Sequence, residues 1–282
     1  MRGTRHWIVI GLVALVALGS VAAGCGSSSD DTSSSSTTAS GGSSGGQDLG
    51  LITDGTLTIG SDIPYPPFEQ GQPPDYSGFD VDVMDEIAKR LDLTPKWVDT
   101  SFNTIFGDEQ AGKFDIVASS TTITPAREKR VTFSDPYFNA DQSLMVQKGS
   151  DLQTVHDITG DTSIAAQTGT TGAAYAEDKT DAQVQQFQAI GDAFNALQAG
   201  QVDGVINDFP VSAFAQKKYP QLEVVETIPT GERYGFPMQQ QNKALQDAVN
   251  GALKDMMDDG TYTTIFKKWF HEAPPKEYQG SG

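Results

Sequence analysis

The chain has 282 residues, of which 37% are hydrophobic, and a formal net charge of −18 at pH 7. So acidic a surface repels phosphate backbones and argues against nucleic acid as a partner. The single cysteine, Cys25, cannot form an internal disulfide or a cysteine-based zinc site, and His6, His156 and His271 form no H-x-x-x-H pair, so neither a metal nor a cofactor is expected.

The first segment is an address. Met1 to His6 carries Arg2 and Arg5, Trp7 to Val21 is apolar, and the small residues Ala22, Ala23 and Gly24 lead to Cys25. That order predicts a secretory signal peptide over 1–24, with an apolar run short for a membrane span. Its end resembles a bacterial lipobox, in which cleavage leaves a diacylglyceryl cysteine, here Cys25; Ala22 stands where such boxes most often have leucine. Gly26 to Gly46 is almost wholly Ser, Thr and Gly and cannot bury enough apolar surface to offset its ordering entropy. Residues 25–47 are therefore expected to be a lipidated cysteine and flexible tether with a reach of roughly 25 Å.

Beyond the tether, short apolar strands alternate with amphipathic helices. Thr56–Gly60 reads as a strand, and the stiff, proline-rich loop after it carries Asp62 and Tyr65. Asp80–Leu91 reads as a helix, with Val83, Met84, Ile87, Ala88 and Leu91 on one face. Phe102 falls in a polar stretch read as a loop. Phe114–Ala118 is a strand; the run Ser119, Ser120, Thr121, Thr122 leaves it and enters a short helix, Pro125–Lys129, that holds Arg127. Leu144–Gln147 and Ser163–Ala166 are strands. Gln167-Thr168-Gly169-Thr170-Thr171-Gly172 joins the latter to a helix from about Thr170, with N–H donors at the positive end of the helix dipole. Helices are expected over Asp192–Ala199 and Pro210–Tyr219, and strands over Gly204–Asn207, Leu222–Val225 and Tyr234–Gln239; Asp208 closes the first of these strands. Asn242–Asp259 is the clearest helix, ended by Gly260, and Tyr262–Phe270 is the last amphipathic stretch. The alternation predicts α/β architecture with open sheets and a ligand beyond the carboxyl ends of the strands.

Each polar feature has a plain structural use. Tyr65 and Phe102 suit a core, Arg127 opens a charged run that suits a solvated helix face, and Asp208 suits a helix cap. Together they also suit a free amino acid. Arg127 can hold a carboxylate bidentately, supported by N–H groups at Thr170 and Thr171. Asp208, Ser120 and Thr122 can take the ammonium, Tyr65 and Phe102 can sandwich the side-chain stem, and Asp62 can meet a donor at its end.

Six stretches resemble family 3 extracellular solute-binding proteins, the polar amino-acid receptors of ABC transporters: GSDIPYPPFE (60–69), GFDVDVMDEIAKRL (78–91), AGKFDIVASSTTITPAREKRVTFSDPYF (111–138), QTGTTGAAYA (167–176), GQVDGVIND (200–208) and DGTYTTIFKKWF (259–270). The resemblance implies a two-lobed periplasmic-binding-protein fold of type II. Lobe 1 would be 48–136 plus 235–282, lobe 2 would be 142–229, and segments 137–141 and 230–234 would form the hinge. It implies Tyr65 and Phe102 as stacking aromatics, Arg127 as carboxylate clamp with Thr122 and Thr171, Ser120 and Asp208 as ammonium partners, and Asp62 as a side-chain contact. Ser119, Gln167 and Thr170 complete the expected ligand-binding set, and no residue is expected to be catalytic. Ser119-Ser120 resembles receptors for basic amino acids, whereas glutamine receptors have glycine at 120 and often lysine at 167, so glutamine and arginine, lysine or histidine all stay open. The partners implied are a free polar amino acid, an ABC permease and, through Cys25, the extracytoplasmic face of the membrane, with the protein a monomer. The rivals are a cyclohexadienyl-dehydratase-like enzyme on the same fold and a sensory ligand-binding domain.

Overall fold

The computed structural model describes residues 48–280. The leader, Cys25 and the tether through residue 47 lie outside them.

The chain first builds β1 (Thr56–Ser61), a small hairpin of β2 (Gln70–Gln72) and β3 (Asp75–Ser77), and α1 (Phe79–Arg90). Helix α1 buries Val83, Met84, Ile87 and Ala88, the spacing of one helical face, and carries acids in its first turn and bases in its last. β4 (Thr94–Asp99), α2 (Phe102–Gln110), β5 (Ile116–Val117), α3 (Pro125–Glu128) and β6 (Val131–Phe133) follow. β7 (Phe138–Asn139) leads out of this region into β8 (Gln142–Gln147), β9 (Ser163–Gln167), α4 (Thr171–Lys179), β10 (Gln183–Phe187), α5 (Ile190–Gln198), β11 (Gly204–Asp208), α6 (Phe209–Lys218) and β12 (Leu222–Ile228). β13 (Arg233–Tyr234) leads back to β14 (Pro237–Gln239), α7 (Lys243–Asp258) and α8 (Thr261–Phe270).

Two five-stranded sheets result, ordered β4-β1-β5-β14-β6 and β10-β9-β11-β8-β12. In the first, β1 runs parallel to β4 and β5, and β14 antiparallel to β5 and β6. In the second, β9 runs parallel to β10 and β11, and β8 antiparallel to β11 and β12. Each sheet forms a lobe with its helices. The two crossings between lobes pair with each other, Arg233 opposite Asn139 and Tyr234 opposite Phe138. Main-chain bonds from Tyr137 to Tyr234 and from Ala140 to Glu232, both 3.0 Å, brace the pair.

The core runs beneath both sheets. The central strands are apolar on both faces, as sheets covered by helices on either side require. Under the crossings, Phe68, Phe79, Phe138, Tyr234, Phe266 and Phe270 pack ring against ring, and Tyr137 stacks on Phe236 at 4.1 Å.

Three sequence expectations need correction. Phe102 does not lie in a loop but opens α2, whose buried Phe102, Ile105 and Phe106 are spaced for a helix. Tyr234–Gln239 is not one strand; Gly235 and Phe236 divide β13 from β14. The sequence reading leaves out six strands: the short β2, β3, β6 and β7; β4, with Pro95 and Lys96 in it; and β10, a mostly polar QVQQF.

Candidate ligand-binding cleft

The parallel strands β1, β5, β9 and β11 aim their carboxyl ends into one gap between the lobes, the position where open α/β sheets bind ligands. From β1 the chain enters the loop of Asp62 and Tyr65. The Asp62 N–H donates to Ser119 Oγ at 3.0 Å, tying that loop to the end of β5. Tyr65 is buried, and its hydroxyl crosses to the second lobe, donating to Asp208 Oδ2 at 2.7 Å.

The segment after β5 is held from two sides. Ser120 has φ 46, a left-handed backbone that a non-glycine residue adopts at a cost of about 1–2 kcal/mol. Its N–H donates to the buried Asp80 carboxylate at 2.9 Å, which fixes the conformation. Asp80 also accepts the Tyr137 hydroxyl at 2.7 Å, and Glu69 lies against it. Burial raises both acids: Asp80 to about 6, against its hydrogen bonds with Glu69, Ser120 and Tyr137, and Glu69 well above the carboxylate range, with the charge of Asp80 adding to the shift. Further on, the Thr124 hydroxyl caps α3 by accepting the Arg127 N–H at 3.2 Å.

That cap orients Arg127 into the gap. Its guanidinium donates to the Thr122 carbonyl at 2.7 Å and, across the lobes, to the Gly169 carbonyl at 3.1 Å. Its central carbon lies 5.3 Å from the Phe102 ring centre and 5.0 Å from that of Phe106. Phe102 is thus a platform for the arginine as well as a wall of the cleft. Burial lowers the guanidinium to about 10, still fully charged at neutral pH, against the pull of Asp208 and Glu232.

From the second lobe, β9 ends on Gln167, whose amide donates to Asp62 at 2.5 Å. Gly169 takes φ 81 and passes close to Asn103, which lets its carbonyl reach Arg127. Thr170 is the N-cap of α4, accepting the Ala173 N–H at 3.1 Å, and Thr171 is the first helical residue. β11 ends on Asp208, which precedes α6 but makes no side-chain cap bond. Its carboxylate instead accepts from Tyr65, Tyr234 and Gln142.

Asp62, Tyr65, Phe102, Ser119, Ser120, Thr122, Arg127, Gln167, Thr170, Thr171 and Asp208 line one cavity between the lobes. They are the residues expected from the sequence, and all eleven are brought together. Glu232, Gln142 and Tyr234, which support the wall from behind, are not singled out by the sequence; they are ordinary residues of the crossings and of a strand start and carry no local motif. Asp62 is raised to about 6, chiefly by burial and then by Asp99. Asp208 is also raised to about 6, by burial and by Glu232, against its hydrogen bonds. Among the described residues neither acid has a cation, nor Arg127 an anion, within the 4.0 Å of an ion pair. The cavity therefore holds fixed charges of both signs, left for an occupant to neutralise.

The sequence profile of the bacterial extracellular solute-binding proteins, family 3, matches residues 57–272. An ABC transporter glutamine-binding protein of Bacillus subtilis is 32% identical over 201 residues, 70% of this chain and 74% of that protein. The ABC transporter arginine-binding protein 1 of Escherichia coli is 30% identical over 221 residues, 76% of this chain and 90% of that protein. The crystal structure of an ancestral amino acid-binding protein, a precursor of cyclohexadienyl dehydratase, superposes with a TM-score of 0.73 at 37% identity, covering 77% of this chain and 96% of that one. The architecture is that of type II periplasmic binding proteins.

Proposed function

The chain belongs to the bacterial extracellular solute-binding proteins, family 3, and from that we propose that it is the substrate-binding subunit of an ABC importer, capturing a free polar L-amino acid, glutamine or a basic one, by closure of its lobes. One observation carries the proposal. A guanidinium and a carboxylate, Arg127 and Asp208, enter one cavity from different lobes without pairing, the charge arrangement that a zwitterion would neutralise.

In this reading the ligand carboxylate lies on Arg127 and on N–H groups at the start of α4, where the helix leaves donors unsatisfied. The ammonium meets Asp208 with Ser120 and Thr122 oxygens. The stem runs between Tyr65 and Phe102, and its far end meets Asp62 and Gln167. Lobe 1 is 48–136 plus 235–282, lobe 2 is 142–229, and the segments 137–141 and 230–234 bend between them. Because the walls come from both lobes, ligand contacts complete themselves only on closure and shift the population toward the closed form. The importer's permease would then receive the closed protein, a monomer.

The leader and Cys25 support delivery to the outer face of the cell membrane on a lipid anchor, with residues 25–47 as the tether. An enzymatic role has less behind it: the curated relatives are binding proteins, and Asp62 and Asp208 are explained as partners for cations. A thermal-shift screen across the twenty amino acids, followed by calorimetry, tests the proposal. One or a few polar amino acids should stabilise the protein. No response to any of them, or turnover of prephenate or arogenate, would overturn it.

A further inference from the structure

Glu232 stands at the second crossing, one residue before β13, and does not line the cavity. It lines a groove on the outer side of the same wall, shared with Thr122 and Thr171. Its Oε2 accepts the Thr122 hydroxyl at 2.8 Å and the Thr171 hydroxyl at 2.6 Å. Thr122 belongs to the segment leaving β5 in one lobe, and Thr171 opens α4 in the other. The backbone of Glu232 is itself held, its carbonyl accepting the Ala140 N–H at 3.0 Å. One carboxylate oxygen thus fastens both lobes to the crossing.

A hydroxyl has one hydrogen to give. With both hydrogens turned outward to Glu232, the two threonines offer the cavity only lone pairs and their main-chain N–H groups. A carboxylate in the cavity could gain those hydroxyl hydrogens only by taking them from Glu232. The charge-assisted pair of bonds is also of the stronger kind, and it forms only when Thr122 and Thr171 come within reach of each other, here 3.5 Å apart.

We propose that Glu232 is a positioning residue, a latch that joins Thr122 to Thr171 across the closed cleft and leaves the ligand carboxylate to Arg127 and main-chain N–H groups. It rests on the closing-cleft reading above. It adds to it a ligand-independent contribution to closure: the latch holds the shut form before an amino acid arrives and slows its opening afterwards.

The test uses a donor and an acceptor dye on the two lobes, read molecule by molecule, with stopped-flow release of the best amino acid. In Glu232→Ala the closed fraction without ligand should fall on the order of tenfold, from the loss of two hydrogen bonds less what water restores. Release should quicken by a similar factor with the association rate little changed. Glu232→Gln keeps an acceptor oxygen and should fall between. In a Thr171→Val background, the Glu232→Ala effect on the unliganded closed fraction should shrink to less than half, because the latch has already lost one end. Unchanged closed fraction and release rate in Glu232→Ala, or an effect fully additive with Thr171→Val, would overturn the latch. Failure of every amino acid to bind the unmodified protein would sink the receptor reading instead, while the unliganded distances would still report on Glu232.

Discussion

Arg127 and Asp208 reach into the same cavity from the first and second lobe, and among the described residues neither meets an opposite charge within 4.0 Å. Both are drawn out of water, the arginine lowered to about 10 and the aspartate raised to about 6. Charges left desolvated and unpaired are unfavourable, and a ligand with a carboxylate and an ammonium would neutralise both at once. Affinity is expected to come largely from relieving that penalty.

Arg127→Ala should weaken amino-acid binding by about 2–5 kcal/mol, roughly thirtyfold to several thousandfold, because it leaves the ligand carboxylate buried without its partner. Arg127→Lys keeps the charge but not the planar fork that meets the Thr122 and Gly169 carbonyls, so it should recover only part of the loss. Calorimetry on the purified variants gives the comparison. Wild-type affinity in Arg127→Ala would remove the carboxylate clamp from the mechanism.

Asp62 should separate basic from neutral ligands, and pH should expose it. Its carboxyl, raised to about 6, is ionised at pH 7.5 and largely protonated at pH 5. An arginine or lysine head gains from the ionised form, whereas a glutamine amide does not need it. Asp208 acts on the ammonium of every ligand alike and cancels in a ratio. The affinity for arginine relative to glutamine should therefore drop as pH falls through 6, and Asp62→Asn should flatten the dependence. A ratio that stays constant from pH 7.5 to 5 in the unmodified protein would assign the side-chain end of the cleft to other groups.

The strand ends were legible because polar residues there interrupt apolar runs: Asp62 after β1, Ser119 to Thr122 after β5, Gln167 after β9 and Asp208 closing β11. An open α/β sheet gathers its strand ends in one place, so separate local signals converged on one site. What stayed hidden has physical causes. β4 and β10 are half-exposed edge strands whose composition is set by solvent, not by a core. α2 was masked by a polar Ser-Phe-Asn-Thr start, although Phe102, Ile105 and Phe106 already had helical spacing. Gln142 and Glu232 act only through groups brought to them by the fold, and nothing in their neighbourhoods announces it. Ser120 shows the limit from the other side: the serine is readable, its left-handed backbone and Asp80 prop are not.

The unliganded protein should grow more stable as pH falls from 7.5 towards 5. Asp62, Asp80 and Asp208 are raised to about 6 and Glu109 to about 7, each chiefly by burial. Between their ordinary values and these, the folded protein binds more protons than the unfolded chain, and stability then rises as pH drops. The gain is complete below the unfolded values and is lost as pH climbs through 6 to 7. Acids held low, such as Asp259 at about 2, oppose this only in stronger acid. Thermal melts at fixed ionic strength provide the check; a melting temperature that falls steadily from pH 7.5 to 5 would contradict the assignment.

Gly172 should resist enlargement. It is the second residue of α4, which lies against β11, and a Cβ there would come 2.8 Å from Gln142 Oε1 and 3.1 Å from the Ile206 carbonyl. Gln142 cannot simply yield, since its amide nitrogen supports Asp208. The Ile206 carbonyl belongs to β11 and is fixed by its ladder with β8. Gly172→Ala must therefore push the start of α4 outward, at about 1–3 kcal/mol of overpacking. With roughly 2–4 °C per kcal/mol for a domain of this size, melting should fall by about 2–12 °C. The same shift moves Thr171 and the first N–H groups of the helix, so binding should weaken beyond what stability alone predicts. A variant that melts as wild type and binds as wild type would mean that α4 has slack against β11, which the close approach at Gly172 argues against.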